Sequence, residues 1–293
     1  MAIAESELIL NEDGSIYHLN LKPEHLANTI ITVGDPDRVE QVTQYFDRIE
    51  HKVRKREFHT QTGYYQGKRM TVISTGIGTD NIDIVFNELD ALVNIDFENR
   101  DIKKEHTSLT IVRVGTSGAI QEDIPIDSFV ISEIGIGFDS LLHFYKNEDI
   151  QLHDLSQALM QHLNWDRNKS NPYCIACDED LASHLQSEIT IKGNTITNVG
   201  FYGPQGRILR LPLQDNKMNK KLESFRYNNE LKVTNLEMET AGIYAMAKLL
   251  GHRAISMNAI LANRATGEFS KNPKQTVDKL IKHTLVKLVS FEG

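Results

Sequence analysis

Hydrophobic and polar positions along this chain follow two rhythms. Short apolar, β-branched runs stop at glycine, and between them apolar residues recur at helical spacing. Residues 29–33 run into Gly34-Asp-Pro-Asp-Arg38, residues 70–74 into Thr75-Gly-Ile-Gly78, and residues 109–114 into Gly115-Thr-Ser-Gly118. Such runs read as buried strands, each ending in a turn. Over 81–93, Ile82, Val85, Phe86, Leu89, Leu92 and Val93 share one helical face. Further strands are predicted over 128–133 and 253–262. Further helices are predicted over 152–163, 179–186 and 238–250, the last stopped by Gly251. Asn272-Pro273 supplies an N-cap and first turn for a C-terminal amphipathic helix. Three polar stretches break the pattern: 94–106, read as an exposed loop or helix extension; 201–210, a Gly/Pro loop; and 216–233, read as a mobile flap. Strand and helix alternate with no boundary, which predicts one α/β domain over 1–293 around a central sheet.

Glycine after a strand lets the backbone turn tightly and approach a ligand closely. In open α/β sheets ligands sit beyond the carboxyl ends of the strands. The three glycine turns therefore predict one small, polar, anionic ligand gripped by several loops.

Composition narrows the class. At 293 residues, 40% hydrophobic and 25% charged, the chain can bury a full core. Its formal charge of -8 argues against a nucleic-acid groove or an anionic membrane surface. No apolar run is long enough to cross a bilayer, and the acidic, mixed first twelve residues are unlike a signal peptide. A cytoplasmic enzyme is the expectation. Cys174 and Cys177 form a C-x-x-C pair with no matching second pair of ligands, and read as ordinary thiols. No metal motif, Walker lysine or G-x-S-x-G elbow is present, and Gly76-x-Gly78 lacks the third glycine of a dinucleotide fingerprint.

Several residues carry candidate chemistry, each with a plainer alternative. Gly34-Asp-Pro-Asp-Arg38 opens a helix, whose free N–H groups favour an anion that Arg38 would help hold; the alternative is a capped helix with a surface arginine. Arg113 sits inside an apolar strand beside Thr116 and Ser117. It reads as an oxyanion clamp or as one half of a structural ion pair. Glu237-Met238-Glu239 offers carboxylates to a helix start or to a pair of sugar hydroxyls. Gln205 and Arg207 suit a planar ring bearing adjacent carbonyl and N–H groups, or a solvated turn. Phe201 and Tyr202 could stack on such a ring or belong to the core. His18, on its own, reads as structural or exposed.

Taken in order, Tyr17-His18-Leu19, Gly34 to Arg38, Arg56-Glu57-Phe58, Ser74 to Gly78, Arg113 to Ile120, Leu142-His143-Phe144, Phe201 to Arg207, Glu237-Met-Glu239 and Asn263-Arg264 resemble the nucleoside phosphorylase family over nearly the whole chain. Its uridine phosphorylases, in the hexameric branch, are the nearest match. The resemblance implies a mixed central sheet flanked by helices and phosphorolysis of a pyrimidine nucleoside, with inorganic phosphate as co-substrate and no cofactor. It implies that Gly34, Arg38, Arg113 and Thr116 hold phosphate, with Arg56 donated by a neighbouring subunit. Met238 and Glu239 would hold ribose, with His18 donated to the 5′-hydroxyl. Phe201, Gln205 and Arg207 would hold the base. Donated residues imply a homo-oligomer, at least a dimer, and the branch implies a hexamer. Purine-specific relatives carry an aspartate where this chain has Asn263-Arg264; hydrolytic relatives need no phosphate clamp. Purine phosphorolysis, nucleoside hydrolysis and non-catalytic nucleoside binding are the alternative readings. Members can hold a monovalent cation with a glutamate and a serine. Glu57 matches, but Asn81 stands at the serine.

Overall fold

The computed structural model describes residues 2–292. After a 3₁₀ turn at Pro23–His25 the chain enters β1 (Thr29–Val33) and α1 (Pro36–Thr43), then β2 (Arg48–Lys55), β3 (Phe58–Tyr65) and β4 (Lys68–Ser74). Helix α2 (Thr79–Asn94) leads into a small hairpin of β5 (Ile95–Asp96) and β6 (Asp101–Ile102), followed by the long strands β7 (Thr110–Ala119) and β8 (Phe129–Gly137). Next come a 3₁₀ turn at Leu141–Phe144, α3 (His153–Leu163), β9 (Tyr173–Ala176), α4 (Glu179–Leu185) and β10 (Thr190–Thr197). A 3₁₀ turn at Gly203–Gln205 and α5 (Met218–Ser224) precede β11 (Asn235–Glu237), α6 (Thr240–Leu249), β12 (Arg253–Asn263), β13 (Glu268–Phe269) and α7 (Pro273–Val289).

All strands except β5 and β6 join one mixed, 11-stranded sheet, as expected. β1 lies parallel to both β4 and β7, with Val33 opposite Ser74 and Thr32 opposite Arg113. The ends of β1 and β4 therefore open level with the middle of β7, on one side of the sheet. β7 is parallel to β12, and β12 is antiparallel to β8. β8 is parallel to β10, β10 to β11, and β11 returns antiparallel to β7. These pairings close a ring of five strands.

The buried apolar runs explain the order. β1 is buried at every position, and α1, α2, α6 and α7 pack their apolar stripes onto it and its neighbours. Helix α2 buries Ile82, Val85, Phe86, Leu89 and Leu92, the residues its periodicity marks. A second cluster gathers Leu155, Leu159, Leu163, Leu222 and Phe225 between α3 and α5. Gly251 takes φ +73° just after α6, as a helix-ending glycine should. Among the described residues no helix is long and apolar enough to cross a membrane. Both cysteines are buried free thiols, and burial pushes each up to about 12.

Four expectations are corrected. Gly115-Thr-Ser-Gly118 is strand, not turn: β12 runs beside it through Asn258, Ala259 and Ile260, and its far end bends onto β11. Residues 216–233 are not a free flap, because α5 forms there and buries Leu222 and Phe225. Residues 94–106 fold into the β5–β6 hairpin, where Arg100 donates to the Ile3 and Ala4 carbonyls. Asn272 does occupy the N-cap of α7, but its side chain makes no capping bond.

Candidate active site

The carboxyl ends of β1 and β4, the middle of β7, the β11–α6 junction and the 201–207 loop surround a cavity of about 760 Å³. Nine of the eleven residues expected at the site line it: Gly34, Arg38, Arg113, Thr116, Phe201, Gln205, Arg207, Met238 and Glu239. They come from four separate stretches of chain, which the fold brings together.

Arg113 is 5% exposed and spends its guanidinium on protein partners. Nη2 lies 2.6 Å from Glu239 Oε2 and 3.0 Å from Glu237 Oε2. Nη1 donates to Asn258 Oδ1 at 2.9 Å and to Ser256 Oγ at 3.3 Å. The ion-pair reading is thus correct, and Arg113 still borders the cavity. The guanidinium folds back over Gly115, where a Cβ would lie 1.9 Å from Nη1. Glycine is required there by this close approach rather than by a turn. Burial acts to lower the Arg113 pKa, but the two carboxylates outweigh it and hold it above the ordinary value.

Glu239 receives a second donor on its other oxygen. The Gly78 N–H, at the start of α2, donates to Oε1 at 2.8 Å. Gly78 has φ +95°, a backbone that favours glycine. Burial raises the Glu239 carboxyl above its usual value; Arg113 opposes this and Glu237 adds to it. Glu237 accepts from the Glu239 and Thr240 N–H groups and from Thr197 Oγ1 at 2.6 Å. It caps α6 and pins Arg113 at once. The helix-start role read from the sequence is the one Glu237 takes, while its grip on Arg113 is not legible there, although the Glu-Met-Glu alternation places both carboxylates on one side of an extended chain.

Arg38 is different. It is half-buried, and among the described residues its side chain is reached by no carboxylate within 4.0 Å and makes one hydrogen bond, a long 3.4 Å contact from Nη1 to the Val114 carbonyl. Burial lowers its pKa; Asp35 opposes that shift and the Arg113 charge adds to it. A cation held in a cavity without a counter-ion, beside another cation, favours an incoming anion.

On the opposite wall the Gly203–Gln205 turn buries Gln205 to 2% exposure. Arg207 Nη1 donates to Gln205 Oε1 and to the Phe201 carbonyl, both at 2.6 Å. The Arg207 guanidinium stacks 3.7 Å over the Phe201 ring. Burial, then the charge of Arg264, pushes Arg207 down to about 10, which leaves it cationic at neutral pH. Arg264 braces the loop by donating to the Gln205 and Gly206 carbonyls. Asn263 is spent on backbone: its amide donates to the Gln121 and Ile124 carbonyls, and its oxygen accepts from Ala265 and Thr266. Neither residue lines the cavity.

His18 and Arg56 lie outside this cavity. They are neighbours of one another through Tyr17, whose ring is 4.7 Å from His18 and 5.9 Å from the Arg56 guanidinium. Glu57, Gly76 and Asn81 meet at the cavity wall: a Cβ on Gly76 would fall 2.4 Å from Asn81 Nδ2 and 3.1 Å from Glu57 Cγ. Among the described residues, one group of acidic and histidine side chains is close enough to share a cation: Asp90, His106 and His252. It does not line this cavity. The Leu109 N–H donates to His252 Nδ1 there, which leaves Nε2 carrying the proton, 3.3 Å from Asp90. That geometry suits an Asp–His contact better than a ligand set.

A family model described as the phosphorylase superfamily matches residues 28–290. A uridine phosphorylase of Thermococcus kodakarensis is 30% identical over 266 residues, covering 89% of this chain and 82% of that protein. A purine nucleoside phosphorylase of DeoD type from Oceanobacillus iheyensis is 26% identical, covering 86% and 88%. Among solved structures, a Trypanosoma brucei nucleoside phosphorylase, described as showing uridine phosphorylase activity, superposes with a TM-score of 0.86. It is 29% identical and covers 97% of this chain and 100% of its own. The chain belongs to the phosphorylase superfamily.

Proposed function

We propose that this member of the phosphorylase superfamily cleaves uridine with inorganic phosphate, releasing uracil and ribose 1-phosphate. The observation that carries the reading is the shared cavity of Arg38, Glu239 and the Gln205–Arg207 pair. It joins an unpaired cation, a fixed carboxylate, and an amide beside a second cation. Phosphate bound by Arg38, Thr116 and the backbone at Gly34 attacks the anomeric carbon as the N-glycosidic bond breaks. Positive charge grows on the sugar and negative charge on the leaving base, which takes up a proton as uracil. Glu239 accepts hydrogen bonds from the ribose hydroxyls beside Met238. Arg207 and Gln205 supply the donors that stabilise the charge on the base. Phe201, 51% exposed, packs on the ring.

His18 and Arg56 complete the site of a neighbouring chain, which makes the enzyme a homo-oligomer of at least two chains and, by the resemblance, a hexamer. Their position outside their own chain's cavity supports this. The reaction fits cytoplasmic pyrimidine salvage. Product release from uridine, thymidine and inosine, each with and without phosphate, tests the reading. Phosphate-dependent uracil release supports it; preference for inosine would make the chain a purine phosphorylase; release without phosphate would make it a nucleosidase.

A further inference from the structure

Helix α2, whose N-cap Gly78 holds Glu239, also carries the half-buried carboxylate of Glu88, which lies outside the cavity. Glu88 lies on α2 with its side chain 13% exposed, against the segment that bears His18. Its oxygens accept from the His18 N–H at 3.0 and 3.1 Å and from the Leu19 N–H at 2.8 Å. His18 Nδ1 sits 2.6 Å from Glu88 Oε1. Three donors from two adjacent residues thus converge on one carboxylate 70 positions away.

We propose that Glu88 is the positioning residue of His18: it fixes the ring's orientation and tautomer so that Nε2 is presented to the sugar of the neighbouring subunit's nucleoside. This rests on the reading of His18 as a donated residue. An ionised carboxylate can only accept, so the hydrogen must sit on Nδ1. In the neutral ring Nε2 then keeps its lone pair, and Nε2 has no hydrogen-bond partner among the described residues. The Tyr17 ring meets the imidazole edge-on at 77°, and Lys55 Nζ donates to the Tyr17 carbonyl at 2.5 Å. The imidazole is therefore held on the Nδ1 side and left open on the Nε2 side. One helix would set both ends of the sugar site, Glu239 for its own chain and His18 for the next.

Three variants, Glu88→Gln, Glu88→Ala and His18→Ala, are compared with the parent oligomer on uridine and on 5′-deoxyuridine, both with phosphate. The readout is the ratio of kcat/KM for the two nucleosides, which isolates the 5′-hydroxyl. His18→Ala lowers the ratio by about tenfold, as for one lost hydrogen bond. Both Glu88 variants lower it toward the same value, while cleavage of 5′-deoxyuridine changes little. Nitrogen-15 NMR of the parent shows His18 protonated on Nδ1, and Glu88→Gln, whose amide can donate, moves the proton toward Nε2. If His18→Ala collapses the ratio and neither Glu88 variant does, the positioning role is wrong. The same holds if the Glu88 variants slow both nucleosides equally, since that marks a purely structural residue. If His18→Ala leaves the ratio unchanged, the donated-histidine reading fails instead, and the NMR signature still decides the tautomer.

Discussion

Two arginines border one cavity, yet removing them should have opposite consequences for the empty protein. Arg113 neutralises two buried carboxylates, Glu237 and Glu239, at 3.0 and 2.6 Å. Replacing it by Met leaves both uncompensated, at a cost of about 3–5 kcal/mol for breaking a buried pair. Arg38 has no such partner: among the described residues no carboxylate lies within 4.0 Å, and at longer range the Asp35 and Glu239 charges favour its cation while that of Arg113 opposes it. Arg38→Met should leave stability within about 0.5 kcal/mol of the parent, because no ion pair is broken. Phosphate reverses the comparison. Losing the charge-assisted contacts of Arg38 should cost about 1.5–3 kcal/mol of binding, or about tenfold to a hundredfold in KM for phosphate. Linkage carries this into melting curves. At a phosphate concentration of about 100 times the parent Kd, binding adds about 2.7 kcal/mol to the parent. With affinity about thirtyfold weaker, the same concentration adds only about 0.9 kcal/mol to the variant. Thermal unfolding of parent, Arg38→Met and Arg113→Met, each with and without phosphate, measures all these terms. An Arg38→Met protein that loses as much stability as Arg113→Met without phosphate, or that keeps the full phosphate protection, refutes the division of labour.

Other outcomes follow from the same geometry. Arg207→Ala should raise the barrier for uridine by about 2–4 kcal/mol, the loss typical of one preorganised donor; kcat/KM at the parent value would remove Arg207 from the base site. In the proposed site Glu239 accepts from ribose most strongly when ionised, and burial holds its pKa above the ordinary 4.5. The acid limb of kcat/KM should therefore lie above pH 4.5 and move down in Glu237→Gln, which removes a like charge. The stability sign is opposite: the folded state binds the Glu239 proton more tightly, so this group's unfavourable contribution eases as pH falls through the raised pKa. A limb that stays in place when Glu237 is neutralised would assign it to another group. Gly115→Ala puts a Cβ 1.9 Å from Arg113 Nη1 and should cost about 1–3 kcal/mol by overpacking, together with phosphorolysis. A variant with parent melting and turnover would mean the guanidinium has room to move.

The strands and helices that can be read from the chain are those whose packing is uniform. β1, β4 and the start of β7 are buried on both faces, so they appear as continuous apolar runs. Helix α2 packs one stripe and shows its period. β2 is illegible because it is an edge: Arg48–Lys55 is exposed or half-buried throughout and rich in charge. β3 fails for the opposite reason. Thr60, Gln61 and Thr62 are buried polar residues, and the partners of Gln61 and Thr62, among them Thr43 and Thr71, come from elsewhere in the chain. The site divides along similar lines. Arg38, Arg113 and Gln205 stand out by type and position, whereas Glu88 and Asn258 are ordinary until the fold brings them to His18 and Arg113.

Arg113 shows why the two readings of a buried charge need not compete. A guanidinium aimed only at a phosphate would leave Glu239 with one donor and free to rotate. A guanidinium committed only to structure would have no reason to border the cavity. Here the ion pair is the means by which the site is preorganised: Gly78 and Arg113 grip opposite oxygens of Glu239, so the carboxylate is oriented before any ligand arrives. Orientation secured during folding does not have to be supplied at the moment of reaction. The strand that carries Arg113 then needs a residue without a side chain two positions on, because the guanidinium lies where a Cβ would be. Gly115 marks a close approach, but the approaching group is the protein's own guanidinium rather than the ligand the sequence predicts.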